Sequence, residues 1–188
     1  EQGKTSKMSK AFKKILIPAV LGVAVFVLLK SCSPKIPKRA KAVQDFNPKN
    51  FFGTWYEMAR LDYKWEKNLD NVNATYSLKP NENIKVDNKG FDYTENKWKE
   101  KIGEARFVNS SSEGRLKVSF FKPFWAGYNV VDTDEDYKYA LVFGSDLRYM
   151  WILSKEKTIP EEYKERFLKK AQQTGYDTSK LIWVKQDR

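Results

Sequence analysis

The chain of 188 residues contains no histidine and only one cysteine, Cys32. A single cysteine cannot form a disulfide bond within the chain. Catalytic sites that pair serine or cysteine with histidine are excluded, and so is a haem bound through a proximal histidine. Zinc sites are built mainly from cysteine and histidine, so we expect neither a metal nor another cofactor. The composition therefore argues against most classes of enzyme.

The folded part of the chain also lacks a concentration of basic charge. The formal net charge is +11, but residues 1–31 carry +5 of it and residues 32–48 carry +3. The rest of the chain has a net charge of only +3, with both signs interspersed. Nucleic-acid-binding domains present a concentrated basic face, so we expect no nucleic-acid partner.

The longest uncharged run, Ile15–Leu29, is too short for a typical membrane-spanning helix. It has the length of the apolar part of a secretory signal peptide, and a basic segment after Met8 precedes it. The run leads into Leu29-Lys30-Ser31-Cys32, which resembles the lipobox of bacterial lipoproteins, with Lys30 as its one departure. We therefore expect Cys32 to carry a lipid and Met8 to be the true start. An uncleaved membrane anchor is the alternative.

These signals divide the chain into three parts. Residues 1–31 are predicted to be a lipoprotein signal peptide, and residues 32–45 a lipidated tether that contains prolines and lacks apolar periodicity. Residues 46–188 are predicted to form the folded domain. Both the lipoprotein and the uncleaved anchor place that domain outside the cytoplasmic membrane.

From Thr54 onward, apolar and polar residues alternate in short runs separated by turn-forming residues. The predicted strands are Thr54–Leu61, Val72–Leu78, Ile84–Asn88, Trp98–Val108, Arg115–Phe120, Tyr128–Val131, Tyr139–Phe143 and Tyr149–Ser154. Eight such strands predict an all-β fold, an antiparallel up-and-down β-barrel with room for one small ligand. Residues Pro160–Thr174 are predicted to form a helix that packs on the outside, followed by a short final strand, Leu181–Val184.

Three sequence blocks carry a family resemblance: Gly53-Thr-Trp-Tyr-Glu-Met-Ala-Arg-Leu61, Thr133-Asp134 and Trp151-Ile-Leu-Ser-Lys155. In this order, and with the helix and final strand, they make Phe46–Gln186 resemble the lipocalins. The resemblance is to the branch of bacterial outer-membrane lipoprotein lipocalins and apolipoprotein D. It implies an enclosed apolar ligand and an outer-membrane location. It also implies a binding protein rather than an enzyme, because the few catalytic lipocalins use a cysteine or histidine in or near the cavity.

The resemblance assigns the barrel floor to Gly53, Trp55 and Lys155. In the family, the tryptophan closes the barrel and a basic side chain stacks over it. Lysine here replaces the more usual arginine, and it lacks the planar guanidinium, so we expect a weaker cation–π contact. Gly53 fits a place where backbones pack closely. Asp134 is expected to accept backbone hydrogen bonds in a turn.

The resemblance and the strand alternation together predict the ligand-binding residues. They are Tyr76, Asn88, Val118, Phe120, Leu153 and Trp151 in the interior, and Trp65, Trp125 and Tyr128 at the mouth. Ordinary filling of the barrel is the alternative for the interior aromatics. For the aromatic rim, which includes Phe124, docking on a membrane and a dimer face remain open. Asn88 is informative because an amide inside a barrel needs hydrogen-bond partners.

Two functions from different classes fit these observations. The first is a membrane-anchored protein that holds a fatty acid or lysophospholipid, for lipid storage or transport in the bacterial cell envelope. The second is a protein-interaction module, possible as a homodimer, that uses the aromatic rim while the barrel is filled.

Overall fold

The computed structural model describes residues 34–64 and 66–188. The predicted signal peptide, the predicted lipidation site Cys32 and the predicted mouth residue Trp65 lie outside the described residues. Within the described ranges, no helix is long and apolar enough to cross a membrane.

In the described residues, nine strands form one antiparallel sheet. They are β1 (Gly53–Leu61), β2 (Leu69–Leu78), β3 (Ile84–Asp92), β4 (Lys97–Phe107), β5 (Arg115–Phe121), β6 (Phe124–Thr133), β7 (Tyr139–Phe143), β8 (Met150–Ser154) and β9 (Leu181–Trp183). Strands β1 to β8 pair in sequence order, and β1 pairs with both β2 and β8, so the sheet closes. The predicted eight-stranded barrel is therefore confirmed. Because the sheet closes, each of these eight strands pairs on both sides, and together they enclose an interior.

The loops define two ends of the barrel. The connections β1–β2, β3–β4, β5–β6 and β7–β8 lie at one end, which we call the mouth. The other connections lie at the floor end, together with the short helix α1 (Pro48–Phe51) that precedes β1. Three strands run at least three residues further toward the mouth than predicted: β2 begins at Leu69, β3 continues to Asp92, and β6 begins at Phe124. Pairing of β3 with β4 and of β6 with β5 continues the ladder of backbone hydrogen bonds into polar or turn-like sequence, which alternation alone does not identify as strand.

The helix α2 (Glu161–Thr174) packs on the outside, as predicted. Gly175 ends it at a φ of +112°, a conformation that glycine adopts without strain. Phe167 and Ala171 are fully buried against an outward-facing cluster of the barrel. Asp132 on β6 forms ion pairs with Arg166 and Lys170 of α2, which fix the helix against the wall. A 3-10 helix, Thr178–Lys180, leads from α2 to β9.

Asp134 behaves as predicted for a turn. Its Oδ1 accepts hydrogen bonds from the backbone N–H groups of Lys138 and Tyr139, each at 2.7 Å. The carboxylate therefore satisfies donors of the β6–β7 connection, where a chain reversal leaves them without partners in the sheet.

Residues 34–47 form a strap along the outer wall, which corrects the prediction of a loose tether up to residue 45. Ala42 and Phe46 are buried, and the Val43 N–H donates to the carbonyl of Val130 at 2.9 Å. The Gly114 N–H donates to the carbonyl of Val43 at 2.8 Å. The packed domain therefore begins near Pro34 rather than at Phe46.

The C-terminal segment closes a seam where β1 and β2 diverge. Beyond Tyr56, β1 pairs with β9 instead of β2. The Gln186 side-chain amide then donates to the carbonyls of Glu57 and Val72, both at 2.9 Å. Residues from the end of the chain thus complete the wall between the first two strands.

Candidate functional site: the barrel interior

The floor of the barrel is an aromatic stack covered by a lysine. Trp55 is fully buried, its ring stacks on Phe51 at 4.8 Å, and its indole N–H donates to the Phe51 carbonyl at 2.7 Å. Lys155 Nζ lies 4.9 Å from the Trp55 ring centroid and donates to the carbonyl of Phe52 at 2.5 Å. Partial burial lowers the pKa of this lysine. Lys155 thus occupies the expected place, and its backbone contacts add to the cation–π contact.

Gly53 is needed for its backbone conformation more than for space. Its φ is +103°. A Cβ atom added at this position would lie 3.3 Å from its nearest neighbour, Nζ at the end of the Lys155 side chain. Gly53→Ala is therefore expected to lower the free energy of unfolding by about 1–3 kcal/mol, because a side chain strains this backbone. Urea unfolding followed by tryptophan fluorescence measures it, with exposed Ser77→Ala on β2 as the control. Equal stability of the two variants would contradict the requirement for positive φ.

Above the floor, aromatic side chains from β2, β6 and β8 form a continuous column that crosses the interior. Tyr76 packs on Phe51 with ring centroids 5.4 Å apart and donates a hydrogen bond of 2.8 Å to the hydroxyl of Tyr128. The Tyr128 ring stacks on Trp151, with centroids 6.4 Å apart. Tyr76, Tyr128 and Trp151 were each predicted from the sequence, and the structure brings them together. Leu153, one inward position below Trp151, is buried in the same cluster.

The wall opposite β8 is made by β3, β4 and β5. Val118 and Phe120 of β5 face inward and are only partly buried, and Phe120 lies where Gly103 on β4 leaves room for its ring. Asn88 on β3 pairs with Lys101 on β4, whose Nζ lies 5.8 Å from the Phe120 ring centroid. The Asn88 Oδ1 is buried and has no hydrogen-bond partner among the described residues. A buried acceptor without a partner is costly unless a water or ligand satisfies it.

A bulge in β1 turns two charged residues into the interior. Glu57 lies opposite Leu153 of β8 and Arg60 lies opposite Trp151, so β1 contains one residue more than β8 between these pairs. In a regular strand, residues three apart point to opposite faces. The extra residue places Glu57 and Arg60 on the same inward face, where Arg60 Nη1 and Glu57 Oε1 are 2.8 Å apart.

Glu66 completes what we call the carboxylate–arginine cluster: Glu57, Arg60 and Glu66. The Arg60 Nη2 donates to the Glu66 carbonyl at 2.8 Å, and the Trp151 indole N–H donates to the Glu66 carboxylate at 3.1 Å. Arg60 Nε is 4.0 Å from that carboxylate and has no hydrogen-bond partner among the described residues. The cluster lies where the interior meets the mouth.

Burial raises the pKa of both carboxyl groups in this cluster. For Glu57 the shift is large, and repulsion from Glu66 adds to it while Arg60 opposes it. For Glu66, burial again raises the pKa, and the hydrogen bond from Trp151 is the main opposing interaction. Two buried carboxyl groups thus share a single arginine, which leaves the cluster short of positive charge.

Trp125 is a correction to the sequence-based prediction. It was expected to line the mouth, but it lies on the outer face of β6, with the Arg106 and Lys117 side chains 5.0 and 5.3 Å from its ring. Ala126 and Tyr128 alternate with it, and Ala126 pairs with inward-facing Val118. Since neighbouring strand residues point to opposite faces, Trp125 cannot line the same interior as Tyr128.

Sequence reasoning did not identify Glu57, Arg60 or Glu66 as site residues. Two charges within an otherwise apolar strand were the available signal, but strand alternation assigns Glu57 and Arg60 to opposite faces. Detecting the cluster requires knowledge of the bulge. The resulting interior has an aromatic floor, apolar walls and the carboxylate–arginine cluster toward the mouth, an arrangement suited to an amphipathic ligand.

Comparison with known proteins agrees with this architecture. Residues 46–186 match the model of the lipocalin-like domain. The outer membrane lipoprotein Blc of Citrobacter freundii is 45% identical over 172 residues, which cover 91% of this chain and 97% of that protein. Apolipoprotein D of Macaca fascicularis is 34% identical, over 73% of this chain and 72% of its own length. The bacterial relative's name agrees with the predicted outer-membrane location.

Solved structures extend the likeness in fold. The cockroach allergen Per a 4 superposes with a TM-score of 0.64, covering 80% of this chain and 94% of the allergen, at 20% sequence identity. At that identity the likeness concerns the fold alone. The family match and the bacterial relatives together show that the chain belongs to the lipocalin family, in the branch that contains the bacterial outer membrane lipoproteins.

Proposed function

We propose that this chain is a membrane-anchored lipid-binding protein that holds one fatty acid or lysophospholipid inside its barrel. The observation that carries the proposal is the polarity of the interior. Trp55 and Lys155 close one end, aromatic and apolar side chains line the walls, and the carboxylate–arginine cluster lies toward the mouth. An acyl chain fits the walls, and its polar head group fits the other end.

Transfer of the acyl chain out of water supplies the binding free energy. For a chain of about sixteen carbons, at about 0.8 kcal/mol for each buried methylene, the transfer free energy has an upper limit of about 13 kcal/mol. Lost translational freedom and ordering of the chain reduce that value substantially. We therefore expect a binding free energy on the order of 8–12 kcal/mol, which corresponds to a dissociation constant between micromolar and nanomolar.

Arg60 is the residue we assign to the anionic part of the head group. Its Nε–H is buried without a hydrogen-bond partner in the described residues, because the carboxylates of Asp62 and Glu66 lie 3.9 and 4.0 Å from Nε, at ionic distances only. A ligand carboxylate or phosphate that replaces the Glu66 carboxylate beside Arg60 keeps the charge of the cluster constant. Glu66, whose pKa is raised by burial, then moves to water, where its ionised form is better solvated.

The anchor we propose is an acylated Cys32, in line with the relatives that are named outer membrane lipoproteins. Each buried methylene of an acyl group contributes about 0.8 kcal/mol, so two or three acyl groups hold a protein firmly. Attachment to the bilayer keeps the barrel close to a source of single-chain lipids, as storage or transport in the cell envelope requires.

Native mass spectrometry of a form that lacks residues 1–32 but keeps the strap tests the proposal. Hexadecanoic acid and hexadecanol are then titrated in parallel, because they share a chain and differ in head-group charge. We expect both to bind at one site, with the acid about tenfold tighter or more, which corresponds to about 1.4 kcal/mol. Binding of neither compound, and no co-purified lipid, would overturn the proposed function. Equal affinity would remove only the role of Arg60.

A second function, protein interaction through the rim, is favoured by one observation. Phe121 and Phe124 are exposed at the mouth, although neither takes part in the interior column. If the rim joins two copies, sedimentation velocity will show a dimer that dissociates on dilution, and Phe121→Ser will weaken it. A monomer at every concentration would exclude the dimer.

A further inference from the structure

Exposed apolar side chains collect at the mouth end of the barrel. The large exposed residues on the mouth loops or at the strand ends beside them are Tyr93, Trp98, Phe121, Phe124 and Leu147. Ile102, Ile182 and Trp183 are exposed on the outer walls. In the described part of the chain, Leu78 is their counterpart at the floor end. Such an uneven distribution marks an interaction surface, because isolated apolar residues would be spread over both ends.

The β5–β6 hairpin is the most prominent part of this surface. Phe121 and Phe124 pair directly across the two-residue turn, and they are 74% and 72% exposed. The turn residue Lys122 has a side chain that is 62% exposed. Two phenyl rings with a lysine between them suit the boundary of a bilayer, where rings enter the acyl region and the ammonium group stays among phosphates.

The first described residues of the strap lie against β5 and β6, and the Pro34 carbonyl accepts a hydrogen bond of 3.1 Å from the Arg115 side chain. The Lys35 carbonyl accepts a hydrogen bond of 3.3 Å from the Asn129 side chain and lies next to Gly127 on β6. Along β6, Gly127 is three residues from Phe124, a distance of about 10 Å. Only Ser33 separates Cys32 from Pro34, so the chain between them spans about 7 Å at most.

We propose that the mouth docks on the bilayer that holds the anchor, with Phe121 and Phe124 inserted at its surface. The occupant of the patch is thus a lipid bilayer, because the strap starts beside the same hairpin that carries the exposed rings. The proposal rests on the lipidation proposed for Cys32 and not on the identity of the ligand in the barrel. In this orientation, a single-chain lipid passes between bilayer and barrel without crossing bulk water.

Site-specific labelling of the full-length lipoprotein tests the orientation. Acylation uses the only natural cysteine, so Phe121→Cys and Glu135→Cys each provide one reactive thiol, at the mouth and at the floor end. The purified proteins are labelled with an environment-sensitive nitrobenzoxadiazole dye and reconstituted into phosphatidylethanolamine–phosphatidylglycerol vesicles with or without doxyl-labelled lipid. We expect the label at Phe121→Cys to lose most of its emission to the doxyl quencher and the label at Glu135→Cys to lose almost none.

A second variant separates insertion from mere proximity. In Phe121→Ser/Phe124→Ser, a label at Leu147→Cys is expected to lose its quenching, while the melting temperature stays unchanged because both rings are exposed. Equal quenching at both ends, or stronger quenching at Glu135→Cys, would overturn the docking. A shielded but unquenched label at Phe121→Cys would assign the patch to a second protein copy. Failure to co-sediment with vesicles would refute the lipidation premise and leave lipid binding in the barrel untouched.

Discussion

Replacing Arg60 with methionine is expected to lower the free energy of unfolding by about 3–5 kcal/mol, since it leaves the buried Glu57 carboxylate without its cation. Arg60 also donates to the carbonyls of Glu66 and Leu69, which lose these partners. Guanidinium chloride unfolding at neutral pH, followed by tryptophan fluorescence, measures the loss.

The matched control replaces both members of the ion pair. Glu57→Leu combined with Arg60→Met removes the stranded charge, and we expect it to recover more than half of the stability lost in the single variant, since apolar replacement of a whole buried pair is often neutral. A single variant that loses less than about 1 kcal/mol would indicate a hydrated, weakly coupled pair.

The same variant should become sensitive to pH in a defined direction. Burial raises the pKa of Glu57 in the folded protein, and Arg60 opposes that shift. Without Arg60, the folded carboxyl group holds its proton to a still higher pH than the unfolded one, which titrates near about 4.3. The folded state then binds more protons, so stability falls as pH rises above about 4.5. Arg60→Met should therefore lose stability more steeply than the natural protein between pH 5 and pH 8.

Trp151→Ala is expected to weaken binding of hexadecanoic acid about 30-fold or more, on the order of 2 kcal/mol. Trp151 connects the aromatic column to the carboxylate–arginine cluster, because it stacks on Tyr128 and donates to Glu66. Its removal affects both the apolar wall and the position of the head-group residues.

Trp183→Ala is the control for this substitution, because Trp183 is 44% exposed on β9. Isothermal titration calorimetry of the two variants should show near-natural affinity for Trp183→Ala only. If Trp151→Ala binds as tightly as the natural protein, the acyl chain does not lie against this wall, and the opposite wall around Phe120 becomes the candidate.

The fold was predictable because its signals are local and repeated. Alternation in β5, where Leu116 and Val118 are apolar and Lys117 is basic, specifies both a strand and its inward face. The helix α2 was predictable for a similar reason, since Pro160 and Gly175 mark its ends. Neither inference needs knowledge of distant parts of the chain.

The candidate site was only partly predictable, because it depends on register. Trp125 was assigned to the lining of the mouth from its aromatic neighbourhood, whereas the pairing of Ala126 with Val118 turns it outward. Glu57 and Arg60 share a face only through a bulge that no short sequence pattern announces. The position of the strap likewise depends on residues remote in sequence, since Val43 exchanges backbone hydrogen bonds with Val130 of β6 and with Gly114.

The seam closed by the C-terminal segment has a consequence for when the protein can fold. The first strand pairs with β8 and β9, and its Glu57 carbonyl accepts a hydrogen bond from the side chain of Gln186, 129 residues later in the sequence. Contacts of such long sequence separation form slowly and cannot form before the distant residues have been synthesised. A growing chain therefore emerges from the ribosome with its barrel necessarily open, and the wall between the first two strands stays incomplete until Gln186 has been added.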